Sequence, residues 1–155
     1  MSISESKLDF FELDDRTSLL CTDPLTIETV RNTLKAMGYK SHVVETSEMG
    51  IERMRYTQYD VVIVQDSFAG GSLRSNGMLA YLATLPMAQR RNSFVCLIGE
   101  SFKTLDAMQA FAHSVHVVVN PGDLPNFAAI LRKSIAEFDL LYKVYKDAVE
   151  AQGMR

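Results

Sequence analysis

The 155-residue chain has few of the features that mark secreted, membrane or nucleic-acid-binding proteins. Its two cysteines, Cys21 and Cys96, each lie within an apolar run, so they offer neither a disulfide framework nor a metal-binding pair and fit a reducing, cytoplasmic compartment. No apolar stretch approaches the ~20 residues of a membrane helix, and the acidic residues 1–16 do not resemble a signal peptide. With 16 Lys and Arg against 19 Asp and Glu, the balance argues against nucleic acid as the main partner.

Short apolar runs rich in β-branched residues alternate with longer segments of helical spacing. This alternation is typical of a parallel sheet with crossover helices. The runs predict five strands, at residues 18–21, 41–45, 60–64, 94–98 and 115–119. The third and fifth are continuously apolar, as expected of strands covered on both faces.

Helical spacing predicts five helices between and after these strands. The first follows Pro24 and ends near Gly38, and Ser47 is expected to cap the second. The third has Met78 and Leu82 on one face, the fourth has Leu105, Met108 and Ala112 on one face, and the last spans residues 124–151. Right-handed crossovers then favour an α/β fold, a doubly wound five-stranded parallel sheet of flavodoxin-like order 2-1-3-4-5.

Several segments resemble the receiver domain of bacterial response regulators, the CheY-like family. Residues 23–25 and 36–39 are similar to the exit of the first strand and the "GY" turn of receivers, and residues 59–64 to their third strand. Residues 76–79 are similar to the "DG" entry into the third helix, and Asn120-Pro121 stands where receivers have "KP". The resemblance covers about residues 17–137 and implies a signal-transduction module of the two-component type.

The residues that would carry phosphoryl transfer in that family are all different in this chain. The resemblance assigns the Mg²⁺-binding acid pair to Cys21 and Thr22, the phosphate acceptor to Gln65, the hydroxyl position to Gly99 and the lysine position to Asn120. A glutamine amide cannot form an acyl phosphate, and a Cys-Thr pair supplies no anionic oxygen ligands for Mg²⁺. We therefore expect a pseudo-receiver with a degenerate phosphorylation pocket, no metal, no cofactor and no enzymatic activity.

Two alternatives remain open at the strand ends. Asp66 and Asp23 each follow the expected position by one residue, so a working regulator phosphorylated on Asp66, with Mg²⁺, is possible in principle, although side chains alternate faces along a strand. The longer loop at residues 67–75 carries Gly70-Gly71, whose backbone N–H groups could cradle an anion, as in a small-ligand or nucleotide-binding module. His113 and His116 lack a third metal ligand and are expected to be surface residues, while His42 is expected to be structural.

The two ends of the chain exceed what a receiver needs. Residues 1–16 form an N-terminal extension whose stretch 8–13 alternates apolar and acidic residues and could dock as a strand or an amphipathic turn. Residues 138–155 prolong the last helix, with Leu131, Phe138 and Tyr145 seven apart and Leu141 between them. We expect these four residues to bind a protein partner, including a second copy of the chain in a homodimer, with no role for membrane or nucleic acid.

Overall fold

A computed structural model describes residues 15–152. Five strands alternate with six helices, and two 3₁₀ turns lie at Phe68–Gly70 and Pro121–Asn126. The strands are β1 Arg16–Cys21, β2 Tyr39–Val43, β3 Val61–Gln65, β4 Phe94–Ile98 and β5 Val117–Val119. The helices are α1 Pro24–Ala36, α2 Ser47–Tyr56, α3 Gly77–Thr84, the short α4 Met87–Arg90, α5 Ala107–Ala112 and α6 Phe127–Ala151. Among these residues no helix combines the length and apolar character of a membrane span.

The strands form one parallel sheet in the order β2-β1-β3-β4-β5, which confirms the predicted topology. At one edge Cys21 pairs with Val64, Gln65 with Ile98, and Ile98 with Val119. The loops after β1, β3, β4 and β5 therefore leave the sheet side by side. This edge is where ligand and reaction sites form in open α/β sheets.

The core consists of two apolar layers, one on each face of the sheet. Alternate residues of each strand enter opposite layers, as Leu19 and Val62 enter one and Leu20 and Ile63 the other. Strand β5 is as fully buried as β3 although it lies at the sheet edge. Its continuous apolar run therefore reflects cover on both faces and not a central position.

Two helix boundaries differ from the sequence-based expectation. Thr46, not Ser47, caps α2, because its hydroxyl accepts the backbone N–H of Met49 at 3.2 Å. The last helix begins at Phe127 and not at residue 124, because Pro125 supplies no N–H and disfavours helical geometry in the residue before it.

The prediction that Leu105, Met108 and Ala112 form one apolar face of the fourth helix is wrong. Asp106 caps α5 by accepting the backbone N–H groups of Met108 and Gln109, so Leu105 lies outside the helix with a φ of 69°. Met108 is 76% exposed, and Ala110 is the residue that α5 buries. The short helix therefore presents large apolar side chains outward.

Two histidines contribute to packing. His42, expected to be structural, is buried in β2 with its Nδ1 hydrogen-bonded to the Tyr59 hydroxyl at 2.6 Å. His116 is exposed as a residue, as expected, but its ring contacts Phe94 and Phe138, and its Nδ1 accepts the backbone N–H of Val95 at 2.9 Å. This partial burial, with the nearby Arg90 charge, lowers the pKa of His116 to about 4.

Removing the Tyr59 hydroxyl should lower the free energy of unfolding. We expect Tyr59→Phe to cost about 1–2 kcal/mol, because it deletes a hydrogen bond to a buried histidine without changing the packed volume. Tyr56→Phe is the matched control, since Tyr56 is 81% exposed, and should change stability by less than about 0.5 kcal/mol. Urea unfolding of both variants measures the difference, and equal effects would contradict the structural role of the pair.

Candidate functional site

The end of β1 presents no anionic oxygen to the sheet edge at the two positions of the expected acid pair. Cys21 is fully buried among apolar side chains, and this burial raises the pKa of its thiol. Thr22 is also buried, and its hydroxyl has no hydrogen-bond partner. Neither residue is placed as a ligand for a hard divalent cation.

Gln65 joins the loops that follow β1 and β3. Its side chain is buried, and its Oε1 accepts the backbone N–H of Asp23 at 2.9 Å. The Ser67 hydroxyl donates to the Asp23 carboxylate, which adds a second link between the same two loops. The residue at the expected acceptor position therefore fastens one loop to another.

Asn76 connects the end of β3 to the start of α3, a contact that the sequence analysis did not predict. Its buried amide group donates to the carbonyl oxygens of Gln65 and Asp66 at 3.0 and 3.1 Å. Its Oδ1 accepts the backbone N–H groups of Met78 and Leu79 and so caps α3. The Asn-Gly pair before an apolar helix was a visible capping signal, but nothing in the sequence showed that the same side chain reaches the end of β3.

Because Gly99 has no side chain, the ring of Phe102 and the carboxylate of Asp66 can both lie close to its Cα atom. A Cβ atom built on Gly99 would lie 2.7 Å from a ring carbon of Phe102 and 2.9 Å from Oδ2 of Asp66. Phe102 is buried, although it was not among the predicted site residues. The place where the resemblance puts a hydroxyl side chain is thus filled by a phenyl ring and a carboxylate.

Asn120, at the position of the family's lysine, is engaged in loop contacts. Its amide group donates to the carbonyl oxygens of Glu100 and Phe102 at 3.1 and 2.9 Å, and its Oδ1 accepts the backbone N–H of Gly122 at 2.9 Å. These bonds connect the loop after β4 to the turn after β5. They use the whole amide side chain and supply no positive charge.

Asp66 is the ionisable group at the centre of this edge. Partial burial raises the pKa of its carboxyl group, and the negative charges of Asp23 and Glu100 raise that pKa further. A hydrogen bond from the backbone of Ser67 opposes these effects. The one-residue offset in sequence therefore does not remove Asp66 from the pocket, because its side chain leans toward the end of β4.

Two further groups of residues carry no visible metal or anion chemistry. Between residues 15 and 152, no three His, Cys, Asp or Glu side chains converge in a way suited to a metal ion. In the loop at residues 67–75, the N–H groups of Gly70 and Gly71 donate to the carbonyl oxygens of Ser67 and Phe68. The glycine pair thus closes a turn and does not present both amides to an anion.

The four predicted interaction residues fall into different environments. Leu131 is fully buried in the core and cannot form part of a contact surface. Phe138 packs on Phe94 and His116, with ring centroids 5.6 and 4.6 Å away. Tyr145 carries the Arg91 guanidinium 4.1 Å above its ring, whereas Leu141 is 70% exposed. Leu141 lies on an exposed apolar face together with Leu140 and Val144, two residues that the seven-residue spacing did not identify.

The fold, a five-stranded parallel sheet of order 2-1-3-4-5 with a long last helix, matches the CheY-like flavodoxin fold. A receiver domain protein from Methanospirillum hungatei is 9% identical with a TM-score of 0.61, covering 81% of this chain and 96% of that one. The non-phosphorylated HemR receiver domain from Leptospira biflexa is 15% identical with a TM-score of 0.59, covering 79% and 94%. NtrX from Brucella abortus, solved with ADP, is 14% identical with a TM-score of 0.66, covering 91% of this chain but 30% of NtrX.

No family model and no curated protein sequence matches the chain. These three solved structures are each less than 25% identical to the chain, so they define the fold and not the activity.

Replacing Asp66 should stabilise the protein at neutral pH. A carboxyl group whose pKa is raised by folding binds its proton more tightly in the native state, so its ionisation destabilises the fold as pH rises through that pKa. Asp66→Asn should therefore raise the melting temperature at pH 7, and the gain should shrink toward pH 4. Asp147→Asn on the exposed part of α6 is the control, and an equal gain from both substitutions would contradict this account.

Proposed function

We propose that this protein is a receiver-like signal-transduction module of the two-component type that works without phosphorylation and acts through protein contacts. The observation that carries the proposal is the use of Gln65 and Asn120 as loop clamps at the acceptor and lysine positions. Both side chains are neutral, and both spend their hydrogen-bonding groups on neighbouring backbone. A pocket of this kind holds its loops in one arrangement without a bound phosphoryl group.

The packing at Gly99 supports the same proposal. In a phosphorylation switch, a hydroxyl group at this position would follow the incoming phosphoryl group. In this chain Phe102 and Asp66 fill the space that such a side chain needs. Any two-state behaviour would then have to be biased by a partner that binds the two states with different affinity.

The position of Asp66 favours one second candidate, an atypical regulator phosphorylated on that residue. Its carboxylate is part of the pocket and feels the charges of Asp23 and Glu100, which are the anionic groups that would have to help hold a Mg²⁺ ion there. Against this candidate, no lysine stands at the family position to neutralise the phosphoryl group. The two candidates differ in their response to a phosphoryl analogue.

Beryllofluoride with Mg²⁺ separates these candidates. We expect the amide spectrum of the full chain to be unchanged by the two together, beyond the effect of Mg²⁺ alone, because Gln65 offers no acceptor carboxylate. The same titration on Asp66→Asn is the control. Shifts around Asp66, Gly99 and Asn120 that vanish in Asp66→Asn would overturn phosphorylation independence and establish the second candidate.

The proposed contact surface is an apolar region between α5 and α6. A groove of about 260 Å³ lies there, and its lining includes Leu105, Ala110, Phe138 and Leu141. Beside it, α5 exposes Met108 and Phe111, the latter 82% exposed. Exposed aromatic and Met side chains gathered on one surface are typical of protein contact sites.

Helix α6 continues this surface beyond the groove. At 100° per residue, Leu140, Leu141, Val144 and Ala148 lie within an arc of about 100°. From residue 139 onward the charged residues 139, 143, 146, 147 and 150 lie elsewhere around the helix, whereas Glu137, one turn earlier, lies on the same side and lines the groove. The stripe is therefore separate from Leu131 and Phe138, which face the sheet.

We further propose that a second copy of the chain covers this stripe, giving a homodimer through the last helix. Six exposed apolar side chains, of Leu105, Met108, Phe111, Leu140, Leu141 and Val144, offer roughly 400–700 Å² per copy at about 60–120 Å² each. A stable interface needs about 600–1,000 Å² per partner. The buried, reduced thiols of Cys21 and Cys96 fit a cytoplasmic location for this assembly.

Charged substitutions on the stripe should dissociate the dimer. We expect light scattering at tens of micromolar to give twice the chain mass of 17.4 kDa, and the mass of one chain for Leu141→Lys/Val144→Lys. Lys146→Glu, on the opposite side of the helix, should leave the dimer intact. A single-chain mass for the unaltered protein would contradict the homodimer while leaving the beryllofluoride result untouched.

A further inference from the structure

A groove lies at the amino-terminal edge of the sheet, opposite the edge that carries Gln65 and Asn120. It has a volume of about 490 Å³ between the first residues of the strands and the sheet-facing side of α6. Its lining combines five aromatic and aliphatic side chains with six charged or polar ones, and the apolar part consists of Tyr39, Phe94, Ile135, Phe138 and Tyr142. The Tyr142 hydroxyl donates to Oδ1 of Asn92 at 3.0 Å, which ties the far wall to the start of β4.

The described chain begins on the rim of this groove. Arg16, the first residue of β1, is one of the residues that line it, and Asp15 forms an ion pair with Lys40 at 3.0 Å. A further 14 residues precede Asp15. At about 3.4 Å per residue, Leu13 lies within ~10 Å of Arg16, and Phe11 within ~17 Å. The segment is therefore long enough to cross a groove whose entrance is its own point of attachment.

The chemistry of residues 8–13 matches that of the groove. Leu8, Phe10, Phe11 and Leu13 provide the apolar side chains, while Asp9 and Glu12 provide negative charge. The cations at the rim are Arg16 and Arg91, and Arg91 already lies over the Tyr145 ring. Two carboxylates, of Asp60 and Asp139, also line the groove, so its fixed charges balance. Asp60 accepts hydrogen bonds from the backbone N–H and hydroxyl of Thr17 and is thereby held on the strand side.

We propose that the groove at the amino-terminal edge binds the chain's own segment of residues 8–13. Tethering makes this an intramolecular event with an effective concentration of the order of millimolar, so a modest apolar contact is enough to fill the groove. The bound segment covers Phe138 and Tyr142 and supports α6 where the helix extends past the sheet. This face is distinct from the Leu140/Leu141/Val144 stripe, so the proposal does not depend on the homodimer.

A tryptophan reporter tests the proposal, because the chain contains no tryptophan of its own. In the full-length variant Phe11→Trp, we expect blue-shifted emission and a quenching constant for acrylamide several-fold below that of Ser2→Trp, which lies outside the segment. Adding Tyr142→Asp at the groove wall should return the Phe11→Trp emission to that of an exposed indole. Circular dichroism and the melting temperature of the double variant establish that it remains folded.

A spin label at Ser6→Cys gives a second readout, since Cys21 and Cys96 are fully buried and do not compete for the label. The amides of Ile135 and Tyr142 should broaden, and those of Tyr56 at the end of α2 should not. An exposed emission from Phe11→Trp, or buried emission that Tyr142→Asp does not change, would overturn the proposal. Broadening that arises only between labelled and unlabelled molecules would also overturn it, in favour of exchange of the segment between copies.

Discussion

The parallel register of the five strands is the constraint on which the other features of the molecule depend. Because Cys21, Val64, Leu97 and Val118 are aligned across the sheet, the four loops that follow β1, β3, β4 and β5 leave at one edge. Burial of both sheet faces holds this alignment, since a slip of one residue would exchange the two apolar layers. The contacts between loops follow from this arrangement.

At that edge, amide side chains hold neighbouring loops together. Two of them, Gln65 and Asn120, stand at positions that the resemblance assigns to phosphoryl transfer in receivers. Gln65, Asn76 and Asn120 each connect two loops, or a loop and a helix, through amide groups that can donate and accept at once. An amide is well suited to this role because it satisfies carbonyl and N–H groups together and carries no charge to desolvate. Asp66 is the exception, since partial burial and then the charges of Asp23 and Glu100 raise the pKa of its carboxyl group.

The long final helix divides its apolar residues between two uses. Leu131 and Phe138 complete one layer of the core, and Tyr142 and Tyr145 attach the helix to the start of β4 through Asn92 and Arg91. Leu140, Leu141 and Val144 take part neither in the core layer nor in the attachment to β4, and they stay exposed. One amphipathic helix therefore presents two apolar faces, one for its own domain and one available to another molecule.

The strand order was predicted from right-handed crossovers, and the pocket positions were assigned from the resemblance to receivers. Hydrophobic periodicity was enough to predict the strands and the main helices, because buried strands and amphipathic helices have distinct repeats. It was not enough at α5, where the Asp106 cap begins the helix after Leu105 and turns Met108 outward. It also assigned Leu131 to a contact surface, since a seven-residue spacing does not tell which apolar stripe meets the sheet. Phe102 and Asn76 were missed for a related reason, because their partners are distant in sequence.

The sequence by itself determined the fold class, which follows from residue type and order along the chain. The five positions Cys21, Thr22, Gln65, Gly99 and Asn120 were assigned from the resemblance to receivers, and only the tertiary structure decided what these residues contact. The hydrogen bond from Asp23 to Gln65 spans 42 residues, and the closure of Phe102 and Asp66 over Gly99 depends on the missing Cβ atom. Such contacts arise from the positions of strand ends in space, which no local pattern of residues encodes.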